Sequence, residues 1–336
     1  MLMNALWFLF GLALLVVGAE IMVRGGAQVA ARLGISPIVI GLTVVSIGTS
    51  MPELAVGVVA ARDGSGALAV GNIAGTNVVN ILLILGLSAL LVPLALQVRT
   101  IRFELPMMAA AAVLLLVLAS DGVMSRVDGV ILVVCALAYT VAVIRSARHE
   151  PHVVEDEFAS EVATEFGAEF GPLDEVAIAT AARRRTALHV AMTLGGIALV
   201  VIGADWLVDG AVGIARQMGV SEALIGLTVV AIGTSAPELV TTVVSTIRGD
   251  RDIAIGNLVG SSIYNILLIL GVTCLVPAGG LALPDSLVRV DIPIMVAVAL
   301  LCIPIFMSGR RVSRVEGGAM VAAYLVYLTL LFATQT

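Results

Sequence analysis

Apolar runs nearly as long as a membrane is thick recur along this chain, separated by short polar or glycine-rich breaks. The pattern predicts spans near residues 4–23, 36–61, 66–92, 105–120 and 127–145, then 187–208, 221–247, 253–276, 291–307 and 315–333. Most approach or exceed the ~20 residues a helix needs to cross a hydrocarbon core of roughly 30 Å. A polar stretch divides the ten. The expected organisation is a five-helix unit (1–147), a connecting segment (148–186) and a second five-helix unit (187–336). The N-terminal MLMNALWFLF has no basic residues ahead of its apolar ones and reads as the first span rather than a leader.

Two runs are interrupted. GLTVVSIGTSMPEL (41–54) begins as an apolar helix and then places Gly48, Thr49, Ser50, Pro52 and Glu53 in mid-span. GLTVVAIGTSAPEL (226–239) repeats it 185 residues later, and the register holds without a gap from Gly18/Gly203 to Leu90/Leu275. GNIAGTNVVNILLILG (71–86) faces GNLVGSSIYNILLILG (256–271) in the same way. Units of five spans, an odd number, must enter the membrane from opposite sides. An inverted repeat with broken helices points to a transporter whose site lies near the midplane.

Proline explains the interruptions. Pro52 has no N–H and its ring clashes with the carbonyl of Gly48; Pro237 does the same to Gly233. Carbonyls around 46–49 and 231–234 are therefore expected to lose helical partners, which hydrocarbon tolerates only where protein or a hydrated cavity satisfies them. Glu53 follows Thr49 by four and Ser50 by three, so the three share a helix face; Thr76 and Asn80, and Ser261 and Asn265, are also four apart. Carboxylates, hydroxyls, amides and carbonyls make an all-oxygen set suited to a hard cation such as calcium, with no His or Cys near to suit zinc or copper. Two intramembrane glutamates, each after a proline and related by a repeat, favour an ion site over helix packing. Gly71, Gly75, Gly256 and Gly260 read as packing positions. Glu20 and Asp205, near predicted span ends, read as capping, snorkelling or conformational support. Glu104 and Asp291 read as interfacial, and Asn72 and Asn257 either support the ligands or pack between helices. Cys135, Cys274 and Cys302 lie in apolar runs and read as inert thiols.

Composition agrees with the pattern. Of 336 residues, 60% are hydrophobic and 12% charged, with mean hydropathy +1.12. That excludes an ordinary soluble domain, and nothing predicts nucleic-acid binding or names a protein partner. The net charge of −6 is local: residues 149–182 hold nine acids and no Lys or Arg, leaving 15 acids against 18 arginines elsewhere. With the N-terminus outside, fourteen arginines fall on inner connections, among them Arg24, Arg99, Arg248, Arg251, Arg310 and Arg314. Only Arg62, Arg126, Arg216 and Arg289 fall outside. The bias predicts an integral protein of the cell (inner) membrane, both termini outside and segment 148–186 cytosolic. In that segment Phe158, Val162, Phe166 and Phe170 recur every four residues, fitting a short amphipathic helix or a solvated linker.

GTSMPEL with GNIAGTNVVN, and GTSAPEL with GNLVGSSIYN, resemble the two alpha repeats (here 41–86 and 226–271) of the sodium/calcium exchanger family, within the cation/calcium exchanger superfamily. The resemblance covers both halves and leaves out only the 148–186 connection. It implies an all-α membrane protein of ten transmembrane helices in two inverted five-helix repeats with broken helices at the midplane. It also implies a secondary antiporter that exchanges Na+ for Ca2+ by alternating access, electrogenically at about three Na+ per Ca2+, a ratio that the free energy of moving each ion also favours. Glu53 and Glu238 would coordinate calcium with backbone oxygens of Thr49 and Thr234. Ser50, Thr76, Ser235 and Ser261, with backbone oxygens of Ser46 and Ala231, would form sodium sites, and Asn80 and Asn265 would complete the centre. Asn265 stands where potassium-dependent relatives carry Asp, which argues against potassium dependence. No cofactor is implied. A calcium/proton antiporter is the alternative, because a buried glutamate can carry a proton. A channel fits poorly with two deep charged ligands. An intramembrane enzyme finds no partner base for Ser50 or Ser235.

Overall fold

The computed structural model describes residues 2–32, 37–97, 100–147, 175–218, 231–307 and 309–335. The helices in chain order are α1 (Leu2–Arg32), α2 (Ile38–Thr49), α3 (Met51–Arg62), α4 (Leu68–Leu91), α5 (Thr100–Asp121) and α6 (Arg126–Ala147). They continue with α7 (Glu175–Gln217), α8 (Ala231–Thr234), α9 (Ala236–Arg248), α10 (Arg251–Leu275), α11 (Leu287–Met307) and α12 (Arg314–Gln335). Among the described residues, seven helices are long and apolar enough to cross a membrane, and the bent pair α2–α3 makes an eighth. The predicted span 221–247 lies partly outside the described residues, and the amphipathic pattern at 158–170 lies wholly outside them.

Several helices run past the expected spans. α1 continues to Arg32, nine residues past the expected end at 23, through a GGAQVAAR stretch that contains no proline. α7 begins at Glu175, so the last part of the expected connecting segment is helical. Glu20 and Asp205 consequently lie inside α1 and α7, not at their ends. Glu20 accepts from Arg24 at 2.6 Å and also from Arg248 at the end of α9.

The described residues are all-helical apart from short pairings between interhelical turns. Four two-residue strands, β1 (Leu94–Ala95), β2 (Val123–Met124), β3 (Leu281–Ala282) and β4 (Arg311–Val312), pair β1 with β4 and β2 with β3, both antiparallel. Interhelical turns that meet at a bundle end still carry backbone donors and acceptors, and pairing satisfies them. Both pairings tie the first half to the second, at opposite ends of α5. The β1–β4 end also carries Gln97 bonded to Asp252 (2.7 Å), Arg314 on the Leu91 carbonyl (3.3 Å) and the Arg24–Glu20–Arg248 cluster. We refer to it as the arginine-rich end. The β2–β3 end carries Arg126 on the carbonyls of Pro277 (2.9 Å) and Val276 (3.2 Å). The helices after β2 and β4 start with the same reciprocal cap. Ser125 N–H and hydroxyl bond Asp128 (2.8 and 2.7 Å), and Ser313 does the same to Glu316 (2.7 Å each).

α4 and α10 form the centre, their most apolar windows 72% and 83% buried, against 33% for α1 and 28% for α7. α1 and α7 pack chiefly on each other, because glycines bring their backbones together. A Cβ at Gly196 would lie 2.5 Å from Met22 N, and one at Gly11 would fall on Leu207 N. These two helices, with parts of α2 and α9, enclose a hydrophobic cluster (Leu15, Ala19, Met22, Val200, Ala204) separate from the main core. Glu104, expected at the interface, is instead 0% exposed and accepts from Tyr139 at 2.7 Å. Its partner Tyr139 comes from α6, which itself packs on α10, a tertiary contact that no local pattern reports.

Candidate functional site

Both helix breaks adopt the same backbone. Ser50 has φ −84°, ψ 10° and Ser235 has φ −86°, ψ 3°, and a proline follows each by two residues, at the second position of the next helix. α2 and α3 meet at an angle of 42°. The break is narrower than the sequence suggests. The Ser46 carbonyl, expected to be free, accepts from Ser50 N–H (3.2 Å) and Thr49 Oγ1 (3.3 Å). The Ser46 hydroxyl bonds Gly41 O (2.5 Å) and Asn257 O (3.1 Å), stapling α2 to α10. Gly260 makes room for it, since a Cβ there would meet Ser46 Oγ and lie 2.8 Å from Leu42 O. Gly256 sits 2.7 Å from Ile38 O by the same measure, so the packing reading of these two glycines holds. The segment that would face Gly71 and Gly75 by the repeat, near residue 226, lies outside the described residues.

The halves exchange partners. α2 runs along the first part of α10 and α8 along the first part of α4, while α3 packs on Asn265–Leu270 and α9 on Val79–Leu85. Those two segments are π-helical, and each holds a site amide at its start, Asn80 and Asn265. A π-turn widens the helix by one residue and commonly marks a functional position. Nothing in the residue pattern announced it. Thr49, Ser50 and Glu53 thus sit at one break and Thr234, Ser235 and Glu238 at the other, with Thr76, Asn80, Ser261 and Asn265 on the crossing helices. Ala231 opens α8, and only its backbone is described.

The two breaks meet directly. Ser50 Oγ donates to Glu238 Oε1 (3.3 Å), and Thr49 Oγ1 lies 3.5 Å from Ser261 Oγ. Thr49 also donates to Asn257 Oδ1 (3.2 Å), and the Asn257 amide nitrogen donates to Thr242 Oγ1 (3.3 Å), so Asn257 links the first break to α9. Glu53, Glu238, Asn80 and Asn265 are all 0% exposed. Neither carboxylate oxygen of Glu53 has a hydrogen-bond partner, nor does Glu238 Oε2, Ser235 Oγ or either amide end of Asn80 or Asn265. Buried polar groups are nearly always paired, so this concentration of idle polar atoms is unusual for a packing core and marks a candidate ligand set. No group of three or more His, Cys, Asp or Glu occurs among the described residues. Two carboxylates among neutral oxygens match the charge of one divalent ion and the coordination of a hard one.

Comparison with known proteins agrees with this arrangement. The family model described as sodium/calcium exchanger protein matches residues 3–145 and 188–333. The inner membrane protein YrbG of Escherichia coli is 34% identical over 99% of this chain and 98% of its own. The sodium/calcium exchanger MaX1 of Methanosarcina acetivorans is 31% identical over 98% of each. A solved structure of the sodium-calcium exchanger NCX_Mj superposes with TM-score 0.81 at 27% identity, covering 98% of both chains.

Proposed function

Because the chain belongs to the sodium/calcium exchanger protein family, we propose that it is a secondary antiporter that moves Ca2+ against Na+ by alternating access. The observation that carries this is the idle oxygen set of Glu53, Glu238, Asn80 and Asn265 at the meeting of two broken helices. Calcium is held by Glu53 and Glu238, with backbone oxygens of Thr49 and Thr234. Sodium uses Ser50, Thr76, Ser235 and Ser261, with Ala231 O, and with Ser46 O once its two present bonds give way. Ten spans in two inverted repeats fit the exchanged pairing of the halves and the β1–β4 and β2–β3 links at opposite ends. The arginine bias puts the β1–β4 end in the cytosol and both termini outside, and YrbG's name supports an inner-membrane location.

Energetics favours three sodium ions. Extruding Ca2+ against a ten-thousand-fold gradient costs about 5.5 kcal/mol, and an inside-negative 100 mV adds about 4.6 for two charges. One Na+ entering down a tenfold gradient at that potential returns about 3.7 kcal/mol. Two supply about 7.4 and fall short of about 10.1, whereas three supply about 11.1. The second reading, calcium/proton antiport, is favoured by Glu53, whose two undonated oxygens can take a proton. Calcium uptake into proteoliposomes, with outward gradients of Na+, K+ or H+ imposed in turn, separates them. Uptake with Na+ alone supports the proposal; uptake only with H+ overturns it.

A further inference from the structure

Beyond the site the two halves stop resembling each other. On α9, positions 241, 242, 245 and 246 continue the face of Glu238 at three- and four-residue spacing. They are Thr241, Thr242, Ser245 and Thr246, each 0 or 1% exposed. The matching positions on α3 are Val56, Gly57, Ala60 and Ala61. A buried hydroxyl stripe thus leaves Glu238 toward the arginine-rich end, and no such stripe leaves Glu53.

Packing does not explain all of it. Threonine and serine in membrane helices commonly bond the carbonyl four residues back, as Ser245 does to Thr241 O (2.8 Å), and Thr242 accepts from Asn257. The hydroxyls of Thr241 and Thr246 have no partner at all. Neither does Ser88, fully buried on the part of α4 that contacts α9. On the α3 side the equivalent space is closed: Gly57 abuts Thr273, whose hydroxyl is engaged with Ile269 O (2.8 Å) and would lie 2.7 Å from a Cβ there. Unpartnered buried hydroxyls in a row are what a passing cation would use and what a static core avoids.

The dimensions fit a half-membrane path. Eight residues separate Glu238 from Thr246, about 12 Å of helix, against roughly 15 Å for half a hydrocarbon core. The helix then stops at Gly249 (φ 88°). There a cavity of about 420 Å³ opens, lined by Gln97, Asp250, Arg251 and Asp252. Two carboxylates and one guanidinium line that mouth, with Asp252 accepting from Gln97 (2.7 Å).

We propose that the Thr241–Thr242–Ser245–Thr246 face, with Ser88 opposite, is the route by which small, partly dehydrated cations pass between the Asp250/Asp252 mouth and Glu238. The proposal rests on the exchanger reading only for the identity of the traffic. Its test does not depend on the coupling ion. In a chain with Cys135, Cys274 and Cys302 replaced by Ala, Thr246→Cys and the matched Ala61→Cys are exposed to a membrane-impermeant cationic methanethiosulfonate. Thr246→Cys should react only from the face that carries Arg248, and Ala61→Cys from neither. A Thr246→Cys thiol inert from both faces, or reactive only from the face that carries Arg126, overturns the route. Thr246→Val, which keeps shape and loses the hydroxyl, should slow calcium flux at least about tenfold, with calcium still stabilising the protein as in wild type and Thr246→Ser restoring the rate. Full flux in Thr246→Val also overturns it. Absence of any Na+-driven flux in wild type would count against the exchanger reading, while the labelling result would still decide the route.

Discussion

Replacing Glu53 with Gln isolates the electrostatic part of the site. Both Glu53 oxygens are buried without a donor, so the change keeps the shape and breaks no internal hydrogen bond. What disappears is one of two negative charges facing a doubly charged ion. Removing one partner of a buried charge interaction costs about 3–5 kcal/mol, which at about 1.4 per decade weakens calcium binding by roughly two to four decades. Thermal unfolding of the detergent-purified protein reads this directly. Calcium at about a hundred times the wild-type Kd stabilises wild type by about 2.7 kcal/mol. At the same concentration a variant weakened by two decades gains only about 0.4 kcal/mol. The expected variant folds, has an ion-free Tm at or above that of wild type because an uncompensated charge is gone, and shows almost no rise with calcium. A calcium-induced rise equal to that of wild type would refute the assignment of Glu53.

Other outcomes follow from the same geometry. Calcium affinity should weaken steadily as pH falls, because protons compete for Glu53 and Glu238; a value flat from mildly alkaline to mildly acidic pH would contradict the two-carboxylate site. Calcium uptake into sodium-loaded liposomes under a valinomycin-clamped potential should respond to that potential, since three Na+ against one Ca2+ carries net charge; indifference would mean electroneutral exchange. Gly196→Val should force α7 off α1, whose Met22 N would be 2.5 Å from the new Cβ, and destabilise by about 1–3 kcal/mol; an unchanged Tm would show that the helices part freely. Tyr139→Phe removes a donor from the buried Glu104 (2.7 Å) and should lower stability by about 1–3 kcal/mol in thermal unfolding, an effect absent if that carboxyl is satisfied without it.

The breaks at Ser50 and Ser235 were legible in the sequence because proline acts locally and because the motif occurs twice. The residues proposed for the oxygen set stood out because their motif occurs twice; the shared helix face expected of Thr49, Ser50 and Glu53 is divided by the break, since Thr49 ends α2 and Glu53 lies in α3. Helix lengths were not. A bilayer sets the minimum length of a span, yet the residues after Gly25 and before Thr186 remain good helix formers, so α1 and α7 continue beyond the expected ends. The π-helical turns at Asn80 and Asn265 leave no mark in side-chain periodicity over a few residues. The depth of Glu104 depends on Tyr139 from another helix, a tertiary contact. The hydroxyl stripe on α9 is present in the sequence, but its meaning depends on Thr241 and Thr246 being both buried and unpartnered.

The central claim is that Glu53 and Glu238, from opposite halves, hold one calcium ion between them. Crystals of this chain soaked in calcium, with anomalous scattering recorded at long wavelength, test that claim most directly. The expected map has one strong peak within about 2.3–2.6 Å of a carboxylate oxygen from each glutamate. A peak held by only one of them, or lying away from the two breaks, would contradict it.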